Sequence, residues 1–352
     1  MDIFEILKRA VDEKCSDVHI SVGLPPIIRK YGNLVQLYSE RLTPQHTEHF
    51  ARQLMTDKQW MSLQEKGEVD FSYSISGIHR FRINAFRQRG SYSLVVRLIN
   101  PNIPEFKDLG LPEVIKEFTQ KKNGLVLVTG PAGSGKTTTL ACLIDMINRE
   151  RAAHIITLEE PIEYLHRSRK SIVNQREIGS DTRSFAVALK AALRQDPDII
   201  LVGEMRDFET ISIALTAAET GHLVFSTLHT IGSAKTIDRI IDVFPPHQQQ
   251  QIRFQLSTVL EGVVSQQLIP SKDGSSRVAA VEVMVVTPAI RNLIREGKTY
   301  QIPNIIQTSA RLGMRTMDQA LLELFKSGKI SKENALTYSM DMEHMKNLVQ
   351  SV

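Results

Sequence analysis

The chain has 352 residues, 23% of them charged and 42% hydrophobic, with a formal net charge of +4. That length suits two domains with ample core, and the composition is that of an ordinary soluble protein. The weak charge does not argue for nucleic acid, and no apolar run reaches the roughly 18 residues of a membrane span.

In chain order, Ile3, Ile6, Leu7, Ala10 and Val11 recur at helical spacing and predict an amphipathic first helix. Strand alternation follows. Val69, Phe71, Tyr73 and Ile75 share one face, Phe81, Ile83 and Ala85 another, and Ser91 to Ile99 reads as a further strand after Gly90. Residues 1–98 therefore read as a small α+β domain. The Pro-rich stretch Asn100 to Pro104 lies in a joint, residues 99–110. From 111 to 352 strands alternate with helices, the pattern of a parallel α/β core. Buried strands are predicted at Leu125–Thr129, His154–Leu158, Asp198–Val202 and Leu223–Ser226. Helices are predicted near Thr137–Ile147, Thr182–Arg194 and Phe208–Glu219, the last closed by Gly221. A final strand, Val278–Val286, precedes a helix-rich tail from about residue 287, where Thr287 and Pro288 start a helix that Gly297 ends. The two cysteines, Cys15 and Cys142, cannot make a four-ligand site or a disulfide framework and read as buried, inert thiols. The start Met1-Asp-Ile-Phe-Glu5 lacks the basic and apolar regions of a signal peptide, so a cytoplasmic location is expected.

The most informative stretch is Gly130, Pro131, Ala132, Gly133, Ser134, Gly135, Lys136 and Thr137. It fits the phosphate loop G-x-x-x-x-G-K-[ST] of nucleotide triphosphatases. Glycines let successive backbone N–H groups turn toward phosphate oxygens, a lysine supplies charge for the β- and γ-phosphates, and a hydroxyl serves Mg²⁺. An apolar strand before the loop and a helix after it, which takes in Thr138, put the helix N-terminus at the phosphates. Asp198 to Glu204 is an apolar strand that ends in an acid, so Glu204 is the candidate for Mg²⁺, directly or through water, or for the attacking water. In Thr157 to Glu163 three carboxylates crowd another strand end, where Glu163 would hold a metal-bound water or act as an alternative base; the plainer reading is a solvated acidic turn. His222 and His229 bracket an apolar strand and point to opposite faces of it. Each is either a γ-phosphate sensor or a structural histidine. Arg80, Arg82 and Arg97 leave the core face of their strands, and Arg82 and Arg97 are preferred over Arg80 as candidates for the site. They are either solvated or positioned to neutralise transition-state charge from another domain or subunit.

These four motifs, in this order, resemble the Walker A, acidic "Asp box", Walker B and His box of secretion and pilus ATPases. The chain is most similar to the type IV pilus retraction ATPases of the PilT family. The resemblance covers nearly the whole chain: Ser16 to Ile20, Pro25 to Arg29, Ala192 to Asp198, Gly203 to Asp207 and Gly313 to Ala320 carry it. Its most specific part is the octet Ala289-Ile-Arg-Asn-Leu-Ile-Arg-Glu296. The resemblance implies a PAS-like N-terminal domain on a RecA-like ATPase domain, a homohexameric ring, and ATP with Mg²⁺ bound between domains. It implies that Arg82 and Arg97 reach phosphates, and that the ring docks on an integral-membrane platform protein at the pilus base, at the cytoplasmic face of the inner membrane and without inserting into it. The octet would then serve retraction and not ATP binding. Extension and type II secretion ATPases usually carry a further N-terminal region and a four-cysteine zinc motif, neither of which is seen here. A nucleic-acid motor on the same core is the other alternative; no basic-aromatic patch supports it. Ala132, Thr137 and Glu160 stand where threonine, serine and aspartate are usual in the family.

Overall fold

The computed structural model describes residues 1–30, 32–75, 77–99 and 102–350. The chain divides into two compact units, Met1–Asn102 and Ile103–Val352. Asn100 and Pro101 of the predicted joint lie outside the described residues.

In the first unit the strands are β1 (Asp17–Ile20), β2 (Ile27–Lys30), β3 (Asn33–Gln36), β4 (Glu68–Ile75), β5 (His79–Gln88) and β6 (Ser91–Ile99). Among the described residues they form one antiparallel sheet in the order β3-β2-β1-β6-β5-β4. Helices α1 (Ile3–Asp12), α2 (Pro44–Leu54) and α3 (Asp57–Lys66) belong to the same unit. Helix α1 forms where its sequence predicts: Asp2 caps it by accepting from the Phe4 N–H, and Ile3, Ile6, Leu7 and Ala10 are buried. Phe81, Ile83 and Ala85 of β5 join Leu94 and Val96 of β6 in that core. Alternation therefore sends Arg82 and Arg97 the other way.

In the second unit β7 (Gly124–Thr129), β8 (His154–Glu159), β9 (Ile172–Glu177), β10 (Ile199–Val202), β11 (Leu223–Leu228), β12 (Leu260–Pro270) and β13 (Arg277–Val285) make a sheet in the order β13-β12-β7-β11-β10-β8-β9. The helices are α4 (Lys136–Glu150), α5 (Phe185–Ala192), α6 (Phe208–Glu219), α7 (Ser233–Asp242), α8 (Pro246–Val259), α9 (Pro288–Glu296), α10 (Ile302–Thr308), α11 (Met317–Lys326), α12 (Lys332–Thr337) and α13 (Met342–Gln350). Each residue of β7, β10 and β11 is buried, because both faces of the sheet are covered. Alternate residues separate into two cores. Leu125 and Leu127 face α5, α6 and α8, while Val126 and Val128 face α4.

The four strands predicted for the parallel core, β7, β8, β10 and β11, are parallel, as are β9 and β12; the final strand β13 runs antiparallel to β12. Strands β9 and β12 carry polar residues that hid them from an apolar-run reading. Helix α5 is shorter than predicted, because Ser184 caps it by accepting from the Val187 N–H and it ends at Ala192. Helices α6 and α9 have their predicted bounds, with Thr287 capping α9 and Gly297 ending it at φ 70°. Cys15 and Cys142 are free and buried, and burial pushes both thiols up to about 11, which leaves them unreactive.

Candidate nucleotide site

The site is built at the carboxyl edge of the second sheet, where open α/β folds bind ligands. Strand β7 ends at Thr129, the loop 130–135 turns, and α4 begins at Lys136. The turn needs glycine. Gly130, Gly133 and Gly135 have φ of 139°, 74° and 88°, a region that side chains disfavour. At Gly130 there is also no room: a Cβ would lie 2.1 Å from the Gln266 carbonyl oxygen of β12. The loop is fixed from the same side by the Gln266 side chain. Its Nε2 donates to the Ser134 carbonyl at 2.6 Å, and its Oε1 accepts from the Thr139 hydroxyl at 3.0 Å.

Lys136 is buried, and its ammonium donates to the carbonyls of Gly130 at 2.8 Å and Pro131 at 3.0 Å. Burial lowers its pKa, and the charges of Glu204 and Glu163 work against that shift. Both predicted acids are thus brought within electrostatic reach of the loop lysine, although Glu163 is exposed and Glu204 partly buried. Glu204 follows β10 and is contacted from two sides: Arg206 Nε lies 2.6 Å from Oε1 and His229 Nε2 3.5 Å from Oε2. His229 reaches it because β11 runs parallel to β10 and ends beside it.

His222 is not brought to this site. It precedes β11, beside Gly124 at the opposite edge of the sheet, and six strand residues at about 3.3 Å each separate it from His229. Its Nδ1 lies 2.9 Å from the Ala217 carbonyl, so the expected contact with nucleotide is corrected to a structural role at the end of α6. Thr138 packs toward the acidic segment, its hydroxyl 3.0 Å from that of Tyr164. Glu160, at the position where the resemblance leads one to expect aspartate, is exposed.

Sequence reasoning passed over Glu159. It is the buried acid of the 157–163 segment and accepts from the Thr157 hydroxyl at 2.6 Å and from Gln175 Nε2 at 3.0 Å. Burial raises its pKa above the ordinary carboxylate value; the two hydrogen bonds oppose that, and neighbouring Glu163 and Glu177 add to it. The only sequence signal was its place at the end of an apolar strand.

The residues present suit a nucleotide's phosphates. Left-handed glycines curl the loop, α4 presents its N-terminus, and the buried hydroxyls of Ser134 and Thr129 have no protein partner. Among the described residues no group of three or more His, Cys, Asp or Glu side chains could by itself hold a metal ion. The Thr137 hydroxyl, half-buried at the start of α4, is the oxygen donor that the loop itself offers.

In the first unit, Arg82 of β5 and Arg97 of β6 are direct cross-strand partners. Like charges placed opposite each other are unfavourable. Two carboxylates offset this pair: Asp17 Oδ1 accepts from Arg97 Nε at 2.9 Å, and Asp70 Oδ1 lies 3.9 Å from Arg82 Nε. Both guanidinium groups stay largely exposed.

Residues 2–336 match the family model described as Type II/IV secretion system protein. The chain is 50% identical over 335 residues to the type IV pilus retraction ATPase PilT of Pseudomonas aeruginosa, which covers 95% of this chain and 97% of that one. It is 47% identical over 320 residues to a twitching motility protein of Neisseria gonorrhoeae, covering 91% of this chain and 86% of that protein. Among solved structures, the pilus retraction motor PilT with bound ADP superposes with a TM-score of 0.93 at 49% identity, over 99% of each chain.

Proposed function

The chain belongs to the type II/IV secretion system protein family, as a member similar from end to end to the pilus retraction ATPases, and from that premise we propose that it hydrolyses ATP to drive pilus retraction as a homohexameric motor. One observation carries the chemistry: a loop turned by positive-φ glycines leads from β7 to the buried Lys136 at the start of α4, and Glu204 follows β10 at the same edge of the parallel sheet. The loop amides and Lys136 hold the β- and γ-phosphates. Mg²⁺, when bound, neutralises phosphate charge, with Thr137 as its protein ligand. Glu204 orients a water against the γ-phosphorus. The water oxygen bonds to phosphorus, the bridging P–O bond breaks with its electron pair left on ADP, and the water's proton passes by way of Glu204 to the products. Glu163 assists from the rim. His229, in contact with Glu204, responds to whether the γ-phosphate is present. The Arg82–Arg97 pair supplies positive charge from a neighbouring subunit.

The end-to-end similarity and the octet in α9 favour retraction over secretion, and two cysteines are too few for a four-cysteine zinc motif. The retraction partner fits an integral-membrane platform protein, met from the cytoplasmic side. Among the described residues no helix is long and apolar enough to cross a membrane itself.

The test is ATP hydrolysis per chain across a protein-concentration series, with Glu204→Gln as control. We expect specific activity to rise with concentration and the variant to lose at least a hundredfold in kcat, the order of effect expected of a residue that activates the nucleophile. A wild-type protein that binds ATP tightly but never turns it over would overturn the hydrolase reading.

A further inference from the structure

A cleft of about 340 Å³ opens beside Glu204. Its walls are Glu204, Arg206, His229, Arg239 and the end of β11; none of residues 130–138 lines it. Three basic side chains therefore meet in one concavity around a single carboxylate. Arg206 and His229 already touch Glu204 and keep much of their surface exposed. Arg239, on α7, is exposed and has no hydrogen-bond or ion-pair partner among the described residues. Met205, Leu228 and Val243 add apolar surface that limits solvation. A guanidinium left unpaired in a semi-enclosed basic cleft suits a small oxyanion, which it binds through paired N–H donors.

We propose that this cleft is the exit site for inorganic phosphate, with Arg239 and Arg206 as its ligands. The inference rests on the hydrolase reading and extends it to product release. Glu204 links the two places: it lines this cleft and pairs with Arg206 and His229, and it follows β10, which lies two strands from β7, the strand that leads into the loop of Lys136. After cleavage, the free phosphate dianion leaves Lys136 and passes Glu204 to the unpaired Arg239, so ADP can stay in the loop while phosphate departs. Such a path separates the two releases, and in many enzymes release sets the turnover rate.

The experiment follows one mixing event with two readouts: total phosphate formed, by acid quench, and free phosphate, by a fluorescent phosphate sensor. In the wild type the two should rise together. In Arg239→Gln free phosphate should lag total phosphate about tenfold, in Arg239→Glu further, and in Arg239→Lys, which keeps the charge but not the paired donors, less than in Arg239→Gln without disappearing. Release and cleavage slowing together, or no lag in any variant, would overturn the proposal. Because Arg239 is exposed, its substitutions should not disturb folding. A second measurement needs no turnover: ³¹P line broadening of inorganic phosphate with ADP present should occur in the wild type and vanish in Arg239→Glu. Broadening that survives in Arg239→Glu would also overturn it. Broadening lost as expected in a protein that never cleaves ATP would support the phosphate site and sink the hydrolase reading alone.

Discussion

Gln266 joins β12 to a loop more than a hundred residues earlier in the chain, with one amide serving two partners. The geometry is specific to glutamine. The donor end holds the Ser134 carbonyl and the acceptor end the Thr139 hydroxyl, so the loop and the first turn of α4 are fixed as one body. In Gln266→Glu the acceptor remains and the donor is lost, leaving the Ser134 carbonyl facing a carboxylate. An unsatisfied buried carbonyl costs about 1–3 kcal/mol. We expect nucleotide affinity to fall by about tenfold or more, equivalent to about 1.4 kcal/mol, because the loop amides are no longer preorganised. Thr139→Val, which removes only the other arm, should do less. A fluorescent-nucleotide titration checks this, and unchanged affinity in Gln266→Glu would show that the loop holds its shape unaided. This residue also marks what could be read from sequence. Lys136 and Glu204 were legible because a short local pattern marks each, a glycine loop for one and an apolar strand ended by an acid for the other. Glu159 and Gln266 were not, because a lone polar residue acquires its meaning from what a distant segment places against it.

Helix α9 shows the same division at the level of an element. Its bounds follow from local chemistry: the Thr287 hydroxyl accepts from the Ile290 N–H, proline opens the first turn, and Gly297 closes the last. Its anchoring does not. Arg291 donates through Nη1 to the carbonyls of Ser257 and Thr258 at the end of α8, and through Nη2 to Glu261, which Lys121 also pairs. Strand β12 was hidden for a related reason. Ser265, Gln266 and Gln267 interrupt its apolar run, yet all three are buried and bonded: the Ser265 hydroxyl accepts from the Gly232 N–H, and Gln267 Nε2 donates to the Tyr338 carbonyl. Within α9, Ile290 and Ile294 are buried while Leu293 is only partly so, packed at the margin of the core. Leu293→Ala should therefore cost less than the 2–5 kcal/mol of a fully buried leucine. Among the described residues no hydrogen bond or ion pair joins this helix to the phosphate loop. We expect the variant to fold, to bind ATP with wild-type affinity, and to fail to restore twitching in cells that lack the protein. Lost ATP binding in a folded Leu293→Ala would overturn the assignment of the octet to retraction.

At the scale of the whole molecule, the question is which chain supplies the arginines. The first unit places Arg82 directly opposite Arg97, an arrangement whose mutual repulsion is only partly relieved by Asp17 and by a distant Asp70. Of the two, Arg82 is the less restrained, since its carboxylate lies at 3.9 Å whereas Arg97 is hydrogen-bonded at 2.9 Å. If Arg82 completes a site that holds another chain's Glu204, two inactive proteins can rescue each other. Arg82→Ala keeps an intact Glu204, and Glu204→Gln keeps an intact Arg82. In an equal mixture half the sites carry Glu204, and half of those adjoin a subunit carrying Arg82, so about one quarter of the sites become complete. Arginine and acid working within one chain would give none, because each chain lacks one of the two. The measurement is ATP hydrolysis after the two variants are mixed and allowed to exchange subunits. Activity near a quarter of wild type supports completion in trans, and no gain over the separate variants places both groups in a single chain. The concentration series cannot make this distinction, since a ring that merely stabilises its subunits would also gain activity on assembly. Complementation between two dead proteins requires that the catalytic groups come from different copies.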